Sequence, residues 1–373
     1  MGNVTIRKID YPRELKKFIR FPYKVYKGKY PYWVPPLDYD QKNILMKEKN
    51  PFFKHAEMQM FFAEKDGEIV GRIAAIKNYL HNEVHKDKVG FFGFYEALED
   101  QEIANKLFDA AKEWLKSKGM EQMRGPASPS VNDVYGLLIE GFDDYPRLMM
   151  SYNPPYYIDQ MENYGFYKAK DLYAYRIDRD KILKSEKITR VSQIAAKRAK
   201  VTVREVNLKD FHNELEKIKY VFNKAWEPNW GFVPFTDEEI EHAAKELKPL
   251  VVPKITIFAE VEGKTIGFAL VMPDYNLIIK DLNGKLFPFG YRLFTQRKKL
   301  DWARILILGI IPEYQRKGID AFMYYEITRR AAELGIDKGE ASWILEDNVM
   351  MNRGAEAMNG TLYKKYRIYQ IDI

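Results

Sequence analysis

The sequence predicts an α/β protein of two successive domains, each a mixed, mostly antiparallel twisted sheet with helices on both faces. Three observations predict it. A chain of 373 residues is longer than one ordinary core accommodates. A ten-residue segment, Phe62-Ala-Glu-Lys-Asp-Gly67-Glu-Ile-Val-Gly71, recurs 196 positions later as Phe258-Ala-Glu-Val-Glu-Gly263-Lys-Thr-Ile-Gly267, with five identities. Beyond each copy the same order of strand, helix, strand, helix and strand follows.

Each copy of the repeat reads as strand, acidic-Gly turn and strand, the pattern of a hairpin. In the first half Val89–Tyr95 is the next strand. The helix after it, Gln101–Lys118, sets Ile103, Leu107, Ala110 and Trp114 on one face and stops at Gly119. In the second half Ile305–Ile311 is the strand, and Ile319–Leu334 the helix, with Tyr324, Ile327, Ala331 and Leu334 inward and Gly335 as its stop. A further strand, a short helix and a closing strand complete each half, over 121–177 and 339–373.

Composition narrows the function. The absence of cysteine excludes disulfides, thiolate metal sites and a cysteine nucleophile. No run of eighteen apolar residues predicts a membrane span, and MGNVTIRKIDYPREL lacks the apolar core of a signal peptide. A cytoplasmic protein with no membrane partner is expected. The net charge of +7 is densest over Lys181–Lys200, then at Gln296–Lys299. Such runs are mostly solvated faces, and a basic surface also suits a phosphate-bearing cofactor. His81 and His85 are four apart, yet they fall between strands and read as a surface turn rather than a metal site.

The most specific motif is the passage from Arg304 through Pro312 to Gln315-Arg316-Lys317-Gly318 and on to Ala321. A strand here runs through a glycine turn into a helix, and the first amides of a helix have no intrahelical partner. Together with the dipole, they form a site for phosphate.

With this turn between a proline-marked strand and an amphipathic helix, and Asn348 after the next strand, the second half resembles the GNAT superfamily of acyl-CoA-dependent N-acyltransferases. The first half looks like a second such domain without the turn. The resemblance implies a degenerate GNAT-like domain over 1–178, a basic linker helix over 179–200 and an acyltransferase domain over 201–373. It implies acetyl-CoA or a longer acyl-CoA as co-substrate. The backbone of Leu308, Ile310 and Ile311 would pair with the pantetheine arm, and an N–H near Ile310 or Ile311 would face the oxyanion. Gln315, Arg316, Lys317, Gly318, Ile319, Asp320 and Ala321 would receive the pyrophosphate, with Asn348 a further cofactor contact. Two positions depart from the family pattern. Asp320 stands where Gly or Ala is usual, and Ala355 where many members carry a tyrosine as general acid, with Tyr363 a substitute further on.

Acyl transfer to an amine needs a base for the ammonium proton. Glu346 and Asp347 at a strand end and Glu260 on the hairpin are the carboxylates that suit it. The loop around Trp226, Asn229, Trp230 and Phe232 combines aromatic and polar groups suited to the acceptor. Asn132, Tyr152, Asn153 and Tyr156 form a similar set in the first half. The expected reaction moves an acyl group from acyl-CoA to a primary amine of a small molecule or peptide. Two other readings stand beside it: a Fem-like transferase using aminoacyl-tRNA, which the basic segment allows, and an acyl-CoA-binding sensor that has lost catalysis.

Overall fold

The computed structural model describes residues 2–227 and 229–373. The chain folds into two units. Unit 1 comprises Met1–Leu172, Ile279–Gly290 and Lys364–Ile373; unit 2 comprises Tyr173–Ile278 and Tyr291–Tyr363. Neither unit is therefore one continuous half of the chain. The basic stretch 179–200 lies inside unit 2. The last ten residues belong to unit 1 because they pair with its strands, Tyr369 opposite Gly125 and Arg367 opposite Leu137.

Unit 1 begins with β1 (Thr5–Lys8), the helices α1 (Leu15–Arg20), α2 (Pro22–Tyr26) and α3 (Asp38–Leu45), and the hairpin β2 (Ala56–Lys65) and β3 (Glu68–Asn78). Then come α4 (Tyr79–His85), β4 (Val89–Ala97), α5 (Gln101–Ser117), β5 (Gln122–Gly125), the short pair β6 (Ala127–Ser128) and β7 (Val134–Tyr135), β8 (Leu137–Glu140), α6 (Tyr156–Tyr164) and β9 (Tyr167–Asp178). Its strands follow the order β1-β2-β3-β4-β5 and then the end of β15 (Thr361–Asp372). Only β4–β5 in this series is parallel.

Unit 2 adds α7 (Arg179–Leu183), α8 (Glu186–Ala199), β10 (Val201–Glu205), α9 (Phe211–Trp226), α10 (Asp237–Leu247), β11 (Ile257–Val261) and β12 (Lys264–Pro273). After α11 (Asn276–Leu282), which passes into unit 1 at Ile279, and α12 (Arg292–Thr295) come β13 (Trp302–Ile310), α13 (Ile319–Ala332), β14 (Lys338–Leu345) and α14 (Val349–Ala357). Its order is β9-β14-β13-β12-β11-β10, antiparallel from β10 to β13 and parallel between β13 and β14.

Both hairpins of the repeat form, and by the same means. Asp66 and Gly67 have φ of 53° and 80°, Glu262 and Gly263 of 51° and 78°. Two positive values in succession are the type I′ turn that matches strand twist. In α13, Tyr324, Ile327 and Ala331 are buried as their spacing requires. The buried stripe of α5 runs through Ala104, Phe108, Ala111 and Leu115 as well as Ile103 and Leu107, leaving Ala110 and Trp114 at its margin. His81 is not on a surface turn. Asn78 caps a short helix there by accepting from the His81 N–H at 3.2 Å, and the imidazole is buried edge-on to Phe91.

Successive residues of a strand face opposite sides of the sheet. A Cβ on Gly267 would lie 3.3 Å from Met323 in α13, whereas one on Gly309 would lie 2.0 Å from Trp226 in α9. Gly267 pairs with Ile310, the neighbour of Gly309, so α13 and α9 cover opposite faces of β12–β13.

Candidate functional site

The site grows from a fork between two parallel strands. β13 and β14 pair from Trp302↔Lys338 to Ile305↔Ala341, and there the register ends. Both strands run on, β13 to Ile310 and β14 to Leu345. The antiparallel ladder shows which backbone groups face the opening. The Ile311 N–H donates to Ile266 at 2.9 Å, so it is turned away from the fork, against the expectation that it would serve a ligand. Hydrogen-bonding direction alternates along a strand. Ile310 and Leu308 therefore direct their N–H groups into the fork. Consistently, the Ile310 carbonyl accepts from Gln315 Nε2 at 2.9 Å.

That bond ties the turn to the end of the strand. Within the turn the Gln315 N–H donates to Pro312, so this amide is spent. The next six, from Arg316 to Ala321, have no protein acceptor among the described residues. Arg316 at φ 59° and Gly318 at φ 76° shape the turn, and Gly318 caps α13 without a side-chain hydrogen bond. Arg316 and Lys317 are exposed, with the Lys317 ammonium 4.6 Å from the Tyr314 ring centroid. Six free amides, the start of a fourteen-residue helix and two flanking cations suit a pyrophosphate. Asp320 does not fill this space. Its carboxylate lies toward α14, 3.5 Å from where a Gly354 Cβ would be. The basic helix α8 packs beneath the turn, with Ser192 Oγ donating to the Ala321 carbonyl at 3.3 Å and Ala195 3.0 Å from a Cβ on Gly318.

Unit 1 has the same fork, its register ending at Phe91↔Arg124, but its own chain occupies it. The Phe94 N–H donates to Ser128 Oγ at 2.9 Å, and the Ala97 N–H donates to the Tyr157 hydroxyl at 3.0 Å. Asp100 caps α5, accepting from the Glu102 N–H at 2.9 Å, so a carboxylate stands where unit 2 leaves amides open. Glu96 is half-buried beside Arg72, and desolvation there raises its pKa.

On the α9 face, Trp226 lies across Gly309 and stacks on Phe222, with ring centroids 4.9 Å apart. Phe232 and Phe235 join Phe222 at 5.6 and 5.3 Å. This aromatic wall stands beside the fork. Asn229 and Trp230 are half-buried in the same loop, and the Asn229 N–H closes it onto the Trp226 carbonyl at 2.8 Å. Pro228 of that loop lies outside the described residues.

The other expected site residues do not all meet here. Glu346 is half-buried and Asp347 exposed just beyond β14. Glu260 is two strands from β13 and accepts from Arg204 Nε at 2.8 Å, so it stands apart from them in a structural ion pair. Asn348 caps α14 by accepting from the Met351 N–H at 3.2 Å. In unit 1, Asn153 is buried and bonded to the backbone of Leu138 at 2.8 and 3.1 Å. The Tyr156 hydroxyl donates to Ala97 at 2.8 Å and that of Tyr152 to Phe142 at 3.2 Å, while the Asn132 N–H donates to Ser130 Oγ at 3.1 Å. These four serve unit 1's own loops.

A buried polar network was missed in the sequence. Glu340, fully buried, accepts from Ser342 Oγ at 2.7 Å and from the Tyr363 hydroxyl, and Arg304 Nε donates to Ser342 Oγ at 3.0 Å. It sits one register pair before the fork opens. The signal was present as Arg304 in an otherwise apolar strand, and as Glu340 and Ser342 alternating in the strand beside it. Among the described residues no cluster of three or more metal-ligating side chains occurs, and no helix is long and apolar enough to cross a membrane.

Residues 19–125 match the Acetyltransferase (GNAT) family, so the match falls in unit 1 rather than on the half with the open turn. Protein YghO of Escherichia coli is 38% identical, the alignment covering 99% of this chain and 95% of that protein. The bacterial ceramide synthase of Caulobacter vibrioides is 35% identical over 99% of this chain and 97% of its own. A solved tandem GNAT protein from the clavulanic acid biosynthesis pathway shares the fold across 99% of this chain and 98% of that one, with a TM-score of 0.57 and 9% identity. The chain belongs to the GNAT superfamily, in its tandem-domain form. A GNAT fold with one open fork and one filled fork is thus the arrangement from which acyltransferase chemistry is read.

Proposed function

We propose that this GNAT protein transfers a long-chain acyl group from acyl-CoA to the primary amine of a long-chain amino alcohol, forming a ceramide-type amide. The observation that carries the acyl-CoA part is the run of six unpartnered amides at the open end of the unit 2 fork. The choice of a lipid amine is supported by the aromatic wall of Phe222, Trp226, Phe232 and Phe235, and by the 35% identity to a ceramide synthase.

In this reading the pyrophosphate lies on the amides of 316–321, and the pantetheine arm pairs with the Ile310 N–H as it enters the fork. The amine nitrogen attacks the thioester carbonyl carbon, a C–N bond forms, and the oxyanion lies against the Leu308 N–H. Glu346 takes the proton from nitrogen. Collapse breaks the C–S bond, and the sulfur leaves as the CoA thiol with the proton that Glu346 took from nitrogen, passed on through solvent. The Tyr363–Glu340–Ser342–Arg304 network holds the base of the fork rigid, which fixes the distance between the strands.

The test is incubation with palmitoyl-CoA and sphinganine, with the amide read by mass spectrometry and the thiol by colorimetry. Matched amide and thiol are expected. Tight palmitoyl-CoA binding without turnover on any long-chain amine would replace this reading with that of a binding protein.

A further inference from the structure

The outward face of α8, within unit 2, has no part in the transfer described above. The cations just before this helix are already paired: Arg179 with Asp180 and Asp337, Lys181 with Asp178, and Lys184 with Asp180. Those of α8 are not. Lys187, Arg190, Lys197 and Arg198 are exposed and have no carboxylate partner among the described residues, and Glu186 is the helix's one acid. Residues three and four apart share a face of a helix. Lys187, Val191, Ile194 and Arg198 keep that spacing and form one outward stripe, with Arg190 and Lys197 along its flank. At its centre Val191 and Ile194 are 46% and 44% exposed.

The stripe borders the phosphate turn. Ser192 Oγ donates to the Ala321 carbonyl at 3.3 Å, and Ala195 lies 3.0 Å from a Cβ on Gly318. Val191 and Arg198, four before and three after Ala195, therefore flank that contact. Arg316 and Lys317 add exposed cations from the turn itself. The open amides thus stand beside a basic helix about 21 Å long, more than the phosphates of one nucleotide span.

We infer that this face docks an acidic carrier protein that presents the acyl chain on a phosphopantetheine arm. Such an arm has a phosphate and the same thiol as CoA, so it suits the same turn and fork. What CoA lacks is a protein surface for α8 to meet. Two aliphatic side chains among unpaired cations complement a helix with a small apolar centre and a carboxylate rim. A bilayer or a nucleic acid fits less well. The stripe has no aromatic residue to sit at headgroup depth or to stack on bases, and the apolar face of α8 is buried in one core with Met323 and Ile327 of α13. The inference rests on the transfer reading of the fork and changes only the donor. The C–S bond that breaks then joins the acyl carbon to the carrier's arm, and the carrier leaves as a free thiol with the proton taken from nitrogen.

The experiment is calorimetric titration of the full chain with a palmitoyl-loaded acyl carrier protein. Saturable binding that weakens in high salt is expected. K187E/R190E/R198E and, separately, V191S/I194S are expected to weaken it about tenfold or more, with melting temperature and palmitoyl-CoA affinity unchanged. Absence of binding overturns the inference, as does binding that both variants leave intact. A parallel loss of palmitoyl-CoA affinity also overturns it, by assigning the helix to the nucleotide. Sedimentation with vesicles of about one-third phosphatidylglycerol, lost in the charge variant while carrier binding is absent, assigns the helix to a membrane instead. Binding is measured without turnover. A chain that binds the loaded carrier through α8 yet acylates no amine therefore supports the docking and fails the transfer reading alone.

Discussion

Arg204 holds Glu260 at 2.8 Å in unit 2 as Arg7 holds Glu64 at 2.8 Å in unit 1. The likeness extends outward. Arg204 also grips Glu214 through both terminal nitrogens, as Arg7 grips Glu14. The guanidinium of each stands over the phenylalanine of the repeated hairpin, Phe258 or Phe62. A group that recurs in the unit whose fork is filled is a fastening for the sheet edge. Glu260→Gln is therefore expected to lower stability by about 1–2 kcal/mol in urea unfolding and to leave kcat unchanged. A loss of kcat at unaltered stability would return Glu260 to the reaction.

The same fastenings give the acid limb of stability. Arg7 and the Asp10 N–H hold the Glu14 carboxyl down at about 2, from 4.5. Its folded value is depressed, so its contribution is fully present above 4.5 and is lost as pH falls through 2. Glu214, also lowered by Arg204 against the cost of burial, acts in the same direction. Glu14→Gln is expected to cost about 1 kcal/mol at pH 7. The gap to wild type should narrow steadily below pH 4.5 in chemical unfolding.

Gly309 leaves room for Trp226, and a methyl there would come within 2.0 Å of the indole. Gly309→Ala is expected to cost about 1–3 kcal/mol by overpacking and to lower activity by displacing the aromatic wall. Trp226→Ala in the same chain should recover much of the stability without recovering activity. Melting temperature and turnover of the two single variants and the double variant decide this.

In the proposed reaction the cations of the turn act on the cofactor, not on the amine. Arg316→Glu with Lys317→Glu is expected to raise KM for acyl-CoA about tenfold or more, equivalent to about 1.4 kcal/mol, with the KM for the amine little changed. The effect should shrink in high salt, because both side chains are exposed.

Local patterns were legible in the sequence. The duplicated hairpins, the helix stripe through Tyr324, Ile327 and Ala331, and the glycine turn after β13 all rest on neighbouring residues. What was not legible depends on pairing between distant segments. Ile311 faces Ile266 because of the ladder between β12 and β13, and Glu340 meets Tyr363 because two strands from different parts of unit 2 converge. The placing of Trp226 on Gly309 is also tertiary. His81 reads as a surface turn in the sequence because a seven-residue helix capped by Asn78 carries too few residues to show a period.

Unit 2 has an open fork and unit 1 a filled one, so the number of acyl-CoA molecules bound per chain is the deciding measurement. Calorimetric titration of the full chain with palmitoyl-CoA is expected to give one site, lost or much weakened in the Arg316→Glu, Lys317→Glu variant. Two sites per chain, or one site indifferent to those substitutions, would contradict it.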